Sequence, residues 1–505
     1  MVTGTNGLSN KPNGTQSRRL MDRPHAAAMA AFGLLSLALP GTAHAAKTTF
    51  VPVISVSETY TDNVNLDVPG AEQYDWVTAA TAGFNFAGTG ARARLNLSYS
   101  PTLYSFARQN QTDLRHNLSS AGEIELVEDH FYLTESARVY QSFAGSHRDI
   151  SISDSNLSGD RRQVYNFSVS PELRNRFGGF AVARLNYTFL GLYADTPADP
   201  LAASLTDTVT HSINASIASG ENFQRFQWSL NGTWREEDRI GGVGNVSNHH
   251  VTVSSQYSIN RFFAVTGTFG YQDYGYSVNS NFNGVNWDAG VRITPSRRMI
   301  LTVSYGRQTG HDRLTFTGSY RPGDNTNVSL SYNETFETSQ GLLSNELPTF
   351  NSSPSPGLGL GLGSSFNSFG ATDVPGTTFT DLVFLQKRFS FAAQHVIGRT
   401  SFSFNAYREI RTVNGAEIER AISGSGSINR TFSQVLTGQV TGRYIRRDDP
   451  TGRMDDVYLA SASLNRRLVG RASAFVSYQF TKRTSNVFAA ELMENAVTVG
   501  LSSSF

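Results

Sequence analysis

Cysteine is missing from all 505 residues. That excludes a disulfide scaffold and any thiolate-bound metal, and it suits a chain that crosses an oxidising compartment unfolded. Net charge is nearly absent as well. With 42 basic against 41 acidic residues, nothing in the global balance draws the chain to nucleic acid. Lysine is scarce beside arginine, and only 16% of residues are charged. Long apolar runs are lacking, with one exception. The segment AAAMAAFGLLSLALP at 26–40 follows Arg18, Arg19 and Arg23 and precedes Ala43-His44-Ala45. Basic, apolar, then small-x-small is the order of a secretory signal, and fifteen residues are few for a spanning helix. Cleavage is expected after Ala45, with Ala43 and Ala45 read by the signal peptidase. Residues 1–45 then form a signal peptide with an extended leader, and 46–505 form one exported domain.

Signs of catalysis or metal binding are few. Ten histidines are scattered, and the one adjacent pair, His249-His250, reads as solvated residues at a strand start. DNVNLD at 62–67 offers alternating oxygens, but Val68 stands where a calcium loop needs its turning glycine, so a polar turn is expected. No glycine-rich phosphate loop is found between a strand and a helix. Neither an enzyme nor a cofactor or metal is expected.

Alternation is plentiful. ARARLNLSYSPTLY separates Ala91, Ala93, Leu95, Leu97, Tyr99 and Leu103 from Arg92, Arg94, Asn96, Ser98 and Ser100. RFQWSLNGTWR and GRASAFVSYQF split the same way, as do 179–189, 284–293 and 326–336. Units of about ten to thirteen residues with one oily and one polar face have the length of a tilted strand crossing a bilayer. Short turns, such as those near 88, 127, 175, 221, 259, 295, 322 and 466, alternate with longer loops such as 60–73, 143–160, 191–204, 236–247, 273–283 and 337–377. This is the rhythm of short periplasmic and long outer connections. The sequence therefore predicts an all-β, antiparallel, up-and-down transmembrane barrel of about 22 strands, 18–24 being compatible with the boundaries, in the outer membrane of a Gram-negative bacterium. The stretches 378–391 and 418–429 are its two weakly patterned strands. A β-solenoid would show a fixed period, and a single sandwich core is small for 460 residues.

The C-terminal stretch ENAVTVGLSSSF puts Phe505, Ser503, Leu501, Val499 and Val497 on one face. Thr498, Gly500, Leu501 and Phe505 resemble the terminal signal read by the outer-membrane barrel assembly machinery; Ser503 departs from it, standing where a second bulky apolar residue is usual.

Arginines dominate the polar faces. Arg92, Arg94, Arg115, Arg138, Arg184, Arg225, Arg235, Arg292, Arg443 and Arg471 are candidate pore-lining residues, against Glu123, Glu125, Asp288 and, near a rim, Asp75. Two readings stay open: a positive lumen favouring anions, and arginine ladders that brace the wall. Arginines at the short turns suit phospholipid headgroups. The loop 337–377, with SPSPGLGLGLGSSFNSFG, is expected to narrow or gate the lumen from outside.

ISVSETYTDNVNL at 54–66, IELVEDHFYL at 124–133 and GRTSFSFNAYRE at 398–409 resemble the PEP-CTERM system-associated outer-membrane protein family. The resemblance, which runs through most of the mature chain, implies a barrel linked to exosortase and exopolysaccharide functions and supplies no catalytic residues. Its partners would be outer-membrane lipid, the assembly machinery, a polysaccharide and periplasmic export proteins. The expected function is a passive conduit or assembly component for polysaccharide export, with a scaffolding barrel as the alternative and an outer-membrane enzyme behind it. TonB-coupled uptake is not expected, because the first strand begins about five residues after the cleavage site.

Overall fold

The computed structural model describes residues 47–143, 151–158, 161–195, 206–241, 244–276, 282–344, 347 and 382–505. Ala43, Ala45 and most of the loop 337–377 lie outside the described residues.

A chain of amphipathic strands satisfies its backbone in an apolar medium only by closing the sheet on itself. The first six strands are β1 (Lys47–Thr61), β2 (Asp75–Thr89), β3 (Ala93–Tyr99 with Thr102–Phe106), β4 (Gln111–Arg115 with Leu118–Val127), β5 (Phe131–Phe143) and β6 (Arg161–Phe177). Next come β7 (Ala181–Ala194), β8 (Asp207–Ser219), β9 (Phe226–Ile240), β10 (Val246–Ser258) and β11 (Phe263–Tyr276). Then follow β12 (Phe282–Ser296), β13 (Met299–Gln308), β14 (His311–Gly323), β15 (Thr326–Glu337) and β16 (Phe384–Ile397). The last six are β17 (Thr400–Val413), β18 (Ala416–Thr431), β19 (Leu436–Asp448), β20 (Met454–Arg467), β21 (Ala472–Ser485) and β22 (Leu492–Ser504).

Each strand pairs antiparallel with its neighbours, and β1 pairs with β22 from Val53↔Ser504 to Thr61↔Ala496. The sheet is thus a closed barrel of 22 strands, as the alternation predicts. β3 is interrupted at Pro101, which has no N–H for the ladder. Its two halves both pair with β2, and Ser100 N–H donates to Asn117 O at 2.8 Å across the matching interruption in β4.

The two faces sort as the sequence predicts. On β22, Met493, Val497, Val499 and Leu501 are exposed outward, while Glu494, Ala496, Thr498 and Ser502 are buried inward. Phe50, Trp76, Phe269, Tyr271 and Phe404 continue the exposed apolar belt, a surface suited to lipid. Phe475 is an exception: it turns inward onto Val53.

All connections at the end holding both termini are short. At the other end the expectation of long loops holds only in part. Thr309-Gly310 and Asn414-Gly415 are two-residue turns with positive φ at both positions (45° and 87°, 51° and 81°), a geometry that matches strand twist. The weakly patterned stretches become β16 and β18, where Lys387 and Arg420 on the outer face and Phe384 on the inner one break the alternation. Among the described residues, the only α-helix is α1 (Ser339–Ser344).

Candidate functional site

The site is the lumen, together with two segments that fold into it. Strand alternation puts residues two apart on the same wall, so charge patterns of period two become ladders inside the barrel. In β17, Glu409 and Arg411 form such a pair at 2.6 Å. Arg388 of β16 reaches Glu409 at 3.3 Å, Arg411 reaches Glu419 of β18 at 3.5 Å, and Arg447 of β19 reaches Glu419 at 3.2 Å. Glu409, Arg411, Glu419 and Arg447 are all buried. Arg411 also lies over the Phe384 ring at 4.6 Å, and Arg388 over Tyr407 at 4.5 Å. A second ladder, Arg235–Glu237–Arg239 in β9, closes at 3.1 and 3.0 Å. Buried charge at this density persists only when paired, and here nearly every acid has a guanidinium.

Helix α1 leaves β15 and docks on β6 and β7, which stand nine and eight strands away in a ring of 22. Leu343 packs against Val164 and Leu192, and the Asn166 side chain donates to Leu343 O at 2.8 Å. At its start, the Thr338 hydroxyl donates to Glu237 at 3.4 Å. The beginning of the loop 337–377 therefore runs inside the lumen.

Residues 151–158 make a second bridge, one assigned to an outer loop by the sequence reading. They sit between β5 and β6, yet Ile152 packs against Ile445, Val457 and Leu459 of β19 and β20. Ile152 N–H donates to the Thr481 hydroxyl of β21 at 3.4 Å, and the Ser151 hydroxyl donates to the Glu494 carboxylate of β22. Leu157 N–H donates to Val64 O at 2.8 Å and its side chain joins Val64, Val77, Tyr104 and Phe106. Arg115 and Arg161 clamp the bend. Arg115 donates to Asn156 O at 2.8 Å and to Asp154 O, and Arg161 pairs with Asp154 at 3.2 Å.

The ten predicted arginines fall into three groups. Arg92, Arg225 and Arg471 stand in exposed turns at the terminus-bearing rim rather than on the wall, because the strand that follows each begins at the next residue. Arg94 and Arg184 are exposed on the inward face near that rim, and Arg292 bonds Gln256 at 3.5 Å. Arg115, Arg138, Arg235 and Arg443 are engaged deeper. Arg443 donates to Ser423 at 3.2 Å, and Arg138 lies over Tyr140 at 4.6 Å. The count of ten bases against four acids omitted Glu237, Glu409, Glu419, Asp455 and Glu494, all buried on the inward face. Their signal in the sequence is alternating charge of period two, for instance Arg235, Glu237, Arg239.

Other candidates resolve locally. Asn63 and Asp67 close the DNVNLD turn through the Asp67 N–H to Asn63 Oδ1 bond at 2.8 Å. His249 lies within β10, stacked on Trp234 and bonded to Glu236 at 2.8 Å. Thr498 shares a hydroxyl bond with Thr59 at 2.9 Å, Leu501 points outward, and Phe505 N–H donates to Pro52 O at 3.0 Å. A Cβ on Gly500 would overlap the Phe475 ring, so the glycine makes room for that inward aromatic.

This architecture defines a closed 22-stranded antiparallel barrel of the outer-membrane type. Among solved structures it is similar to the FrpB iron transporter from Neisseria meningitidis, with a TM-score of 0.52 at 10% identity over 90% of this chain and 81% of that one. It is similar also to the siderophore receptor PirA from Acinetobacter baumannii (0.50, 8%, 91% and 81%) and the ferric-catecholate import receptor Fiu from E. coli K12 (0.50, 9%, 90% and 81%). No protein-family description and no curated protein matches the sequence. The barrels it resembles are receptors and transporters rather than enzymes, and identity this low establishes the fold alone.

The expected polysaccharide export conduit, with its scaffolding alternative, is corrected by these findings. The barrels of like fold are named for siderophore reception, iron transport and import, and a wide passive bore does not agree with a lumen bridged by α1 and 151–158.

Proposed function

We propose that the protein is an outer-membrane uptake barrel of a Gram-negative envelope, admitting a solute through a lumen that internal segments keep narrow. The observation that carries this reading is the placement of α1, held against β6 and β7 by Leu343 and Asn166 after crossing from β15. A helix of six residues, anchored through one small apolar cluster, can be displaced when a ligand binds. The similar barrels are named for siderophores and iron, so ferric complexes are the first solute class to examine. The resemblance to the PEP-CTERM-associated family is retained as a proposal of kinship, separate from any export role.

The test is accumulation of radiolabelled iron, supplied as ferric catecholate or hydroxamate complexes, in cells that lack other receptors. Expression of this chain should raise accumulation above the empty-vector level. Unchanged accumulation with every complex, from a barrel shown to be folded in the outer membrane, would reject the iron class. A large, constant conductance of the wild-type barrel in planar bilayers would reject the gated lumen itself.

A further inference from the structure

Six charged doublets stand near the loop-bearing ends of β16 to β21: the acidic Asp455-Asp456, and five that carry cations, Lys387-Arg388, Arg408-Glu409, Glu419-Arg420, Arg446-Arg447 and Lys482-Arg483. In a strand one member of each doublet must face inward and the other outward. Arg388, Glu409, Glu419, Arg447 and Arg483 take the inward side, where they join the ladders or are buried. Lys387, Arg408, Arg420, Arg446 and Lys482 are left on the outside, above the apolar belt.

Register places these cations together. Lys387 lies opposite Ile410, which lies opposite Arg420. One row lower, Arg408 lies opposite Ile422, which lies opposite Arg446. Partners two strands apart are separated by roughly 10 Å, a span that long side chains close around one phosphate. Lys482 sits a row below, on the line of Tyr444 and Tyr458. Acids are present too: Glu334 is 3.7 Å from Lys387, Glu417 is 2.9 Å from Arg420, and Asp448 is 3.4 Å from Arg446. Asp456 lies opposite Arg446 and accepts from the Tyr444 hydroxyl. Arg408 and Lys482 are exposed and form no hydrogen bond or ion pair among the described residues.

Two rows below Arg408 and Arg446, beyond the row of Ala406, Gly424 and Tyr444, the outer wall is hollow. Phe404, Gly426 and Gly442 form one row, and Phe402, Ile428 and Val440 form the next. These residues line a recess of about 460 Å³, and a second of about 370 Å³ adjoins it at Ile428 and Val440. A Cβ on Gly442 would meet nothing within 4 Å, and one on Gly426 only Ser403 O at 3.8 Å, so the hollow is open to whatever covers the belt.

We propose that this face binds a phosphorylated, multiply acylated glycolipid of the outer leaflet, its phosphate between Arg408 and Arg446 and an acyl chain in the recess. Charge complementarity chooses the occupant: an uncharged lipid leaves Arg408 and Lys482 unpaired at the edge of the hydrocarbon, whereas a headgroup with two phosphates supplies a counter-charge toward each, the two cations standing four strands, roughly 19 Å, apart. The recess below accounts for the acyl chain. The site rests on outer-membrane placement and does not depend on which solute passes through the lumen.

The test is native mass spectrometry of the detergent-purified barrel with bis-phosphorylated lipid A, dephosphorylated lipid A, phosphatidylglycerol and inorganic phosphate. Bis-phosphorylated lipid A should bind roughly tenfold more tightly than its dephosphorylated form, the effect of about one charge-assisted contact. The double variant R408Q/K482Q should remove that preference, and G426L/G442L should weaken both lipid A forms by filling the recess. Heat-modifiable migration on gels would verify folding of each variant. Equal binding of both lipid A forms, an unchanged R408Q/K482Q, or phosphatidylglycerol matching lipid A would each overturn the proposal. Competition by inorganic phosphate at equal concentration would also overturn it, since a free anion would then suffice.

Discussion

The backbone N–H of Phe505 donates to the carbonyl of Pro52 at 3.0 Å, tying the last residue of the chain to its first strand. The aromatic ring is exposed on the outer surface, level with the rim, and contributes little to the core. Its value is therefore expected to lie in assembly and in sealing the seam between β1 and β22. Deleting Phe505, or appending a polar tail, should lower the heat-modifiable fraction recovered in outer membranes. Recovery at the wild-type level would show that the terminal aromatic is dispensable.

Gly500 lies beneath Phe475 on the same seam, and a side chain there would also stand 2.8 Å from Ser57 Cβ. Gly500→Val should destabilise the barrel by about 1–3 kcal/mol, the usual cost of overpacking. Chemical denaturation followed by tryptophan fluorescence would measure it. Phe475→Ala combined with Gly500→Val should recover part of the loss, because the space is then vacated.

Ile152 is buried against Ile445, Val457 and Leu459, and this contact holds the 151–158 segment on the far wall. Ile152→Asp places a charge in that cluster at a cost of several kcal/mol, which detaching the segment relieves. Single-channel conductance should then exceed the wild-type value while heat-modifiability is kept. Leu343→Asp should act likewise on α1, and the two changes together should open the lumen further than either does alone.

Glu409 joins Arg388 and Arg411 within the lumen wall. Glu409→Ala removes the carboxylate that Arg388 reaches and leaves Arg411 with Glu419, which Arg447 also shares, and should cost about 3–5 kcal/mol. Replacing Glu409 and Arg411 together by Gln and Met should cost less than Glu409→Ala, because fewer charges are left unpaired. Equilibrium unfolding midpoints of the two variants would decide the matter.

Arg94, Arg184 and Arg292 face the lumen on the terminus-bearing side, away from the paired ladders. In a barrel opened by Ile152→Asp, the triple change to Gln should move the reversal potential in a salt gradient toward zero if these residues give anion preference. A potential that does not move would leave the arginines as wall braces only.

Period-two alternation was enough to specify the class of this protein. It assigned the faces of most strands and the outward belt, because a one-residue slip would reverse every face, and it gave a count of about 22 strands within a range of 18–24. It also identified Val497, Val499 and Leu501 as outward and Thr498 as inward, as β22 places them. The sequence did not show which inward charges meet. Arg388, Glu409, Glu419 and Arg447 come from four strands, and only lateral register sets them beside one another. Nor did it show that 151–158 turns back into the barrel, since Ile152 and Leu157 read as two apolar residues in a polar loop. Their partners, Ile445 and Val64, are far away along the chain and become neighbours when the sheet closes. Local pattern decides the faces of a strand, but closure of the ring decides what those faces enclose.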